Sequence, residues 1–112
     1  MRFEWDENKN RQNLRKHDVC FETATLVFSD PRALTQRDER YAQEERWITI
    51  GTIGQSAVLL VVHTWFEHDN EEVIRIISAR AAESHERRAY EEAYKGAQAG
   101  HRRHRRKERP GH

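Results

Sequence analysis

Between residues 46 and 80 the chain carries three apolar runs separated only by short polar connections: RWITIG (46–51), AVLLVVHTWF (57–66) and EVIRIISAR (72–80). Runs this short and this rich in β-branched residues read as strands. Connections of about five residues leave no room for a parallel crossover, so the three form an antiparallel meander. TIGQS (52–56) joins the first pair, with Gly51 and Gly54 supplying hairpin chemistry, and EHDNE (67–71) joins the second. The middle run is apolar on both faces and belongs at the centre of the sheet.

Little else in the chain can supply a core. Only 36% of the 112 residues are hydrophobic against 35% charged, so one modest core and a single domain is what this length supports. RFEW (2–5) alternates apolar and charged residues as a short half-buried strand does. Asp6 is placed to cap a polar helix to about His17, whose one strong core residue is Leu14. A second helix from Phe21 to Phe28 has Phe21, Ala24, Val27 and Phe28 at helical spacing, and Pro31 stops it. Residues 35–46 are charged and lack a period, so they read as a loop. From Ser84 the period becomes helical again, with Tyr90, Ala93, Tyr94 and Ala97 on one stripe. The expected division is a folded domain over 1–98 and a basic, disordered tail over 99–112.

Charge narrows the function. Residues 101–112 hold six of the 20 basic and one of the 19 acidic residues, leaving 14 basic and 18 acidic in residues 1–100, a net charge of −4. A body of that sign does not attract nucleic acid in general, so RNA or DNA binding needs a local arginine cluster or the tail. No apolar run approaches the roughly 20 residues of a membrane span, no leader is evident, and a cytoplasmic location is expected. Cys20 is the one cysteine, which excludes an internal disulfide. His63, Glu67, His68 and Asp69 lie close in sequence without metal-ligand spacing, SHERR is not a HExxH motif, and no metal or cofactor is expected.

The arginines of the third strand are the unusual feature. Simple alternation puts Val73, Arg75, Ile77 and Ala79 on one face and Ile74, Ile76, Ser78 and Arg80 on the other. Burying a guanidinium alone is costly, so Arg75 either pairs with a carboxylate such as Glu4 or Glu45 or opens onto a groove. Arg80, at the strand end, is the stronger substrate-contact candidate. Arg87 and Arg88 form a solvated helix face unless one turns toward Arg80, and Glu86 can pair with Arg80 or act in proton transfer. His63 suits either proton transfer or a hydrogen-bonded core position.

Taken in series, FEWDENKNRQNLRKHDVCFETATLVFSDP, EERWITIG, LLVVHT and IRIISARAAESHERRAYEE resemble the BrnT toxins, partners of BrnA antitoxins, over about residues 3–92. The resemblance implies an α+β, RelE-like antiparallel sheet of order β-α-α-β-β-β-α, with two N-terminal helices on one face and a C-terminal helix. It implies a metal-independent ribonuclease that cleaves RNA and arrests translation. It also implies a BrnA-like antitoxin with a ribbon-helix-helix region, which binds the toxin in a 2:2 hetero-oligomer and reaches operator DNA on its behalf. Carried onto this chain, Arg75, Arg80, His63 and Glu86 are the catalytic candidates, and Ser78, Arg87, Arg88 and Tyr90 the RNA-binding ones. Departures from the family pattern are Trp65 and Phe66 where a basic residue commonly follows His-Thr, Asp18 for a helix-ending glycine, and Cys20 and Glu83 for hydroxyl caps. A catalytically degenerate toxin homologue that binds antitoxin as co-repressor, or a tail-driven nucleic-acid binder, are the alternatives.

Overall fold

A computed structural model describes residues 1–40, 43–55 and 57–93. Strand β1 (Arg2–Glu4) leads into helix α1 (Glu7–His17) and the short helix α2 (Phe21–Ala24), which continues as a 3₁₀ segment, Thr25–Ser29. Strands β2 (Leu34–Arg37), β3 (Trp47–Ile53), β4 (Ala57–His68) and β5 (Glu71–Ala81) follow, and residues 84–93 form helix α3. The chain divides into two compact units, Met1–Ala82 and Glu83–His112. The expected boundary at 98/99, the basic tail, Tyr94 and Ala97 all lie outside the described residues.

The expected meander is present, within a larger sheet of order β1-β5-β4-β3-β2. Two expectations are corrected. The sheet is mixed rather than antiparallel, because β1 pairs in parallel with β5, with Phe3 opposite Ile74. The intervening helices and strands return the chain to that edge in the same direction, a long-range pairing that no local pattern encodes. Residues 34–37, partly assigned to a loop, form β2, so the order is β-α-α-β-β-β-β-α. All four β2 side chains are exposed, which removes the alternation that would mark a strand. Its backbone pairing with β3 and the Thr35–Thr49 hydroxyl bond (2.8 Å) hold it in place.

The core lies between the helices and one sheet face. Phe21, Ala24 and Val27 meet Leu59, Val61, Ile74, Ile76 and Ala79, with Phe3, Trp5, Phe28 and Ile53 packed at the margin. Gly51 sits inside β3 rather than in the turn, because a Cβ there would lie 3.0 Å from the Val27 carbonyl and 3.1 Å from Val27 Cβ. Gly54, at φ +64°, serves the turn.

Helix α1 begins as expected, with the Asp6 carboxylate accepting from the N–H groups of Asn8 (2.8 Å) and Lys9 (3.2 Å). It ends on Asp18 in the left-handed region (φ 61°, ψ 29°), a conformation Asp tolerates through its short polar side chain. Its inward residues differ from expectation: Leu14 is 46% exposed, while Asn10 and Asn13 are buried. The asparagines turn inward because backbone groups there need partners. Asn13 Nδ2 donates to the carbonyls of Val19 (2.8 Å) and Ala79 (2.7 Å), and its Oδ1 accepts from Ala79 N–H (3.2 Å). Strand β1 pairs only with Val73–Arg75, so beyond its end the Asn13 amide substitutes for a neighbouring strand. Asn10 Oδ1 accepts from Phe21 N–H (2.7 Å), supplying the α2 cap that Cys20 does not make.

Candidate nucleic-acid interface

The β4–β5 register decides which side chains share a face. His63 pairs with Ile76 but Val62 pairs with Ser78, so Ile77 is an extra residue on β5, a β-bulge. Residues paired across strands point the same way, and consecutive β4 residues point opposite ways. Arg75 (opposite Thr64), Ser78 (opposite Val62) and Arg80 (opposite Leu60) therefore share the face away from α1 and α2. Simple alternation had put Arg75 opposite to Ser78 and Arg80; the bulge resets the period and brings all three together.

Arg75 keeps its side chain 45% exposed and places Nη1 3.4 Å from Glu4 Oε1, one of the two carboxylates expected as partner. Glu45 pairs instead with Arg37 at 3.6 Å. The Arg75 contact is an exposed ion pair, worth roughly 0–1 kcal/mol, so it orients the guanidinium without consuming it. Arg80 is half-buried and its Nη1 donates to the Ala81 carbonyl (3.1 Å). Ser78 is half-buried.

One further residue on this face escaped the sequence reading. Thr64, directly across from Arg75, is 9% exposed, and its Oγ1 is buried without a hydrogen-bond partner. Its alternation with His63 in VVHTWF was the available signal.

His63 lies on the opposite face from Arg75, in the core, fully buried and with its ring 5.0 Å from that of Phe28. Nδ1 lies 3.0 Å from the Thr64 carbonyl, which can only accept, so Nδ1 carries the proton and Nε2 accepts from the Thr49 hydroxyl at 2.7 Å. Burial pushes its pKa below the ordinary histidine value, against the opposing effect of the Thr64 bond. With both nitrogens committed and no accessible surface, His63 takes the core role, and its candidacy as an acid–base group is withdrawn.

The remaining candidates are on α3, a unit described by itself. Arg87 and Arg88 are exposed and Tyr90 is buried. Glu86 Oε1 accepts from Glu83 N–H (2.8 Å), the backward half of a capping box, so Glu83 takes the N-cap place and Ser84 is the first helical residue. Among the described residues, Glu83, His85 and Glu86 bring ligand atoms within 4.8 Å of one another. The capping bond and the Glu83–His85 contact (3.7 Å) account for that cluster. No described helix is long and apolar enough to cross a membrane.

Within Met1–Ala82 one sheet face thus carries two arginines and two hydroxyls, Arg75, Arg80, Ser78 and Thr64. The family model described as "Ribonuclease toxin, BrnT, of type II toxin-antitoxin system" matches residues 5–86. The chain belongs to the BrnT family. Among solved structures, the crystal structure of the Brucella abortus ribonuclease toxin BrnT is similar, with TM-score 0.52 and 23% identity over 75% of this chain and 99% of that one. At that identity the likeness concerns the fold, and the α+β architecture with a five-stranded mixed sheet agrees with it. No curated protein matches. Membership makes the chain a member of a ribonuclease toxin family of type II toxin–antitoxin systems, with an RNA substrate and an antitoxin partner as the family's terms.

Proposed function

We propose that this BrnT-family chain is an endoribonuclease that cleaves RNA to arrest translation and is silenced by direct binding of its antitoxin. The observation that carries the reading is the β5 bulge, which gathers Arg75, Ser78 and Arg80 beside the unpartnered Thr64 hydroxyl. Metal-independent cleavage needs the 2′-OH deprotonated, the pentavalent phosphate's charge stabilised and the leaving oxygen protonated. Two guanidiniums supply the second task. Their anchoring rungs at Thr64 and Leu60 are roughly 13 Å apart along β4, longer than one step between neighbouring phosphates of a strand, so a single phosphate is reached by both only where the two long side chains converge. On α3, Arg87 and Arg88 are exposed and are further candidates for RNA contact, and Glu86 caps that helix. The partner in this reading is a ribbon-helix-helix antitoxin that forms a 2:2 complex in the cytoplasm and carries the toxin to operator DNA.

Expression alone and with the neighbouring antitoxin gene tests the reading. Arrested growth and cleaved RNA are expected only without the partner, and cleavage persists in chelator. Arg80→Ala lowers cleavage by about 100-fold or more, as loss of a charge-stabilising donor does, with an unchanged cooperative unfolding transition. Normal growth and intact RNA on solitary expression would sink the toxin reading.

A second reading has a specific observation behind it. His63 is sealed in the core and Trp65 and Phe66 occupy the place of the family's basic residue, which favours a degenerate toxin that binds antitoxin as co-repressor. It predicts a tight complex and no cleavage even at high protein concentration.

A further inference from the structure

The β4–β5 hairpin outruns the rest of the sheet. Strand β3 ends its pairing at Trp47 opposite His63, so Trp65–His68 have β5 on one side and, among the described residues, no strand on the other. Such an edge presents backbone groups ready for a further strand. Its side chains are out of character for a free surface. Trp65 is 40% exposed, its ring held by Trp47 at 5.9 Å. Two residues further along the same face, roughly 7 Å away, Glu67 stands directly opposite Glu72. Like charges in that relation repel, and neither carboxylate has an ion-pair partner among the described residues, whereas neighbouring Glu71 is paired with Arg2 at 3.6 Å. An indole next to two unneutralised carboxylates is the setting a guanidinium fits, stacking on the ring and donating to the oxygens.

We propose that this outer arm is the docking surface for an extended, arginine-bearing segment of a protein partner. The segment adds to the β4 edge and sets a guanidinium over Trp65 against Glu67 and Glu72. In the toxin–antitoxin reading, on which this inference rests, the partner is the antitoxin. Charge decides against other occupants: RNA would bring phosphates, and a second copy of this chain its own carboxylates, onto the same pair. Trp65, Glu67 and Glu72 lie on the sheet face opposite the one that carries Arg75, Ser78 and Arg80, so this docking surface is separate from the proposed RNA site.

The test uses the full chain with the antitoxin encoded beside it, measuring affinity, RNA cleavage and thermal midpoint. Glu67→Lys replaces a repulsive cross-strand pair by an attractive one, so the free protein's midpoint rises by about 1–3 °C. The same substitution weakens antitoxin binding by about tenfold or more and leaves RNA cleavage unchanged. Trp65→Ala weakens binding similarly. Unchanged affinity in both variants overturns the arm and leaves the toxin–antitoxin reading standing. Loss of cleavage in Glu67→Lys would assign the arm to RNA and overturn the inference as well. Failure of the parent chain to bind the antitoxin removes both.

Discussion

His63 bonds through both ring nitrogens to groups of its own sheet, and this has a consequence in acid. Its folded pKa lies below the unfolded value of about 6.5, so the unfolded chain takes up the proton first. The neutral ring's contribution is complete above that pH and is lost as pH falls through and below it. Urea midpoints between pH 8 and 5 are expected to decline below about pH 6.5, and His63→Gln to flatten that decline. The residue types on the arginine face were legible in sequence, since Arg75, Ser78 and Arg80 stand out inside an apolar strand. That Glu4 rather than Glu45 meets Arg75 was not, because the pairing spans 71 residues and depends on where β1 docks.

At the scale of elements, α1 shows how a polar helix is retained without an apolar stripe. Asn13 satisfies both backbone groups of Ala79 where β1 no longer reaches. Removing its amide orphans buried donors and acceptors, so Asn13→Ala is expected to cost about 2–4 kcal/mol by urea unfolding, with faster hydrogen exchange at the Ala79 amide. A role for Leu14 as the helix's anchor would instead predict little change. The three strands of the meander were readable from their own alternation and turn residues. Strand β2 was not, since an edge strand with four exposed side chains leaves no hydrophobic period. The bulge at Ile77 was hidden for a related reason: ISAR alternates acceptably in either phase, and only pairing against β4 reveals the inserted residue.

At the scale of the whole molecule, the net charge of −4 in residues 1–100 and the six basic residues of 101–112 offer two routes to RNA. If the arginine face is the site, ending the chain after residue 100 leaves RNA cleavage within about twofold and weakens binding only through fewer counterions released. If the tail drives binding, the same truncation abolishes it. Cleavage assays and a salt titration of RNA affinity on the two lengths separate the cases. Family membership was also legible, since quoted segments lying between residues 3 and 92 overlap the match at 5–86.

By itself the sequence determined the elements whose signals are local: the cap at Asp6, the stop at Pro31, the three central strands, and the arginines among them. Tertiary structure alone decided the parallel seat of β1, the inward turn of Asn10 and Asn13, the burial of His63, and the bulge that gathers Arg75, Ser78 and Arg80. The physical reason is range. Caps and periods are settled by neighbours a few residues away, whereas register and face depend on which distant backbone supplies the missing hydrogen bonds.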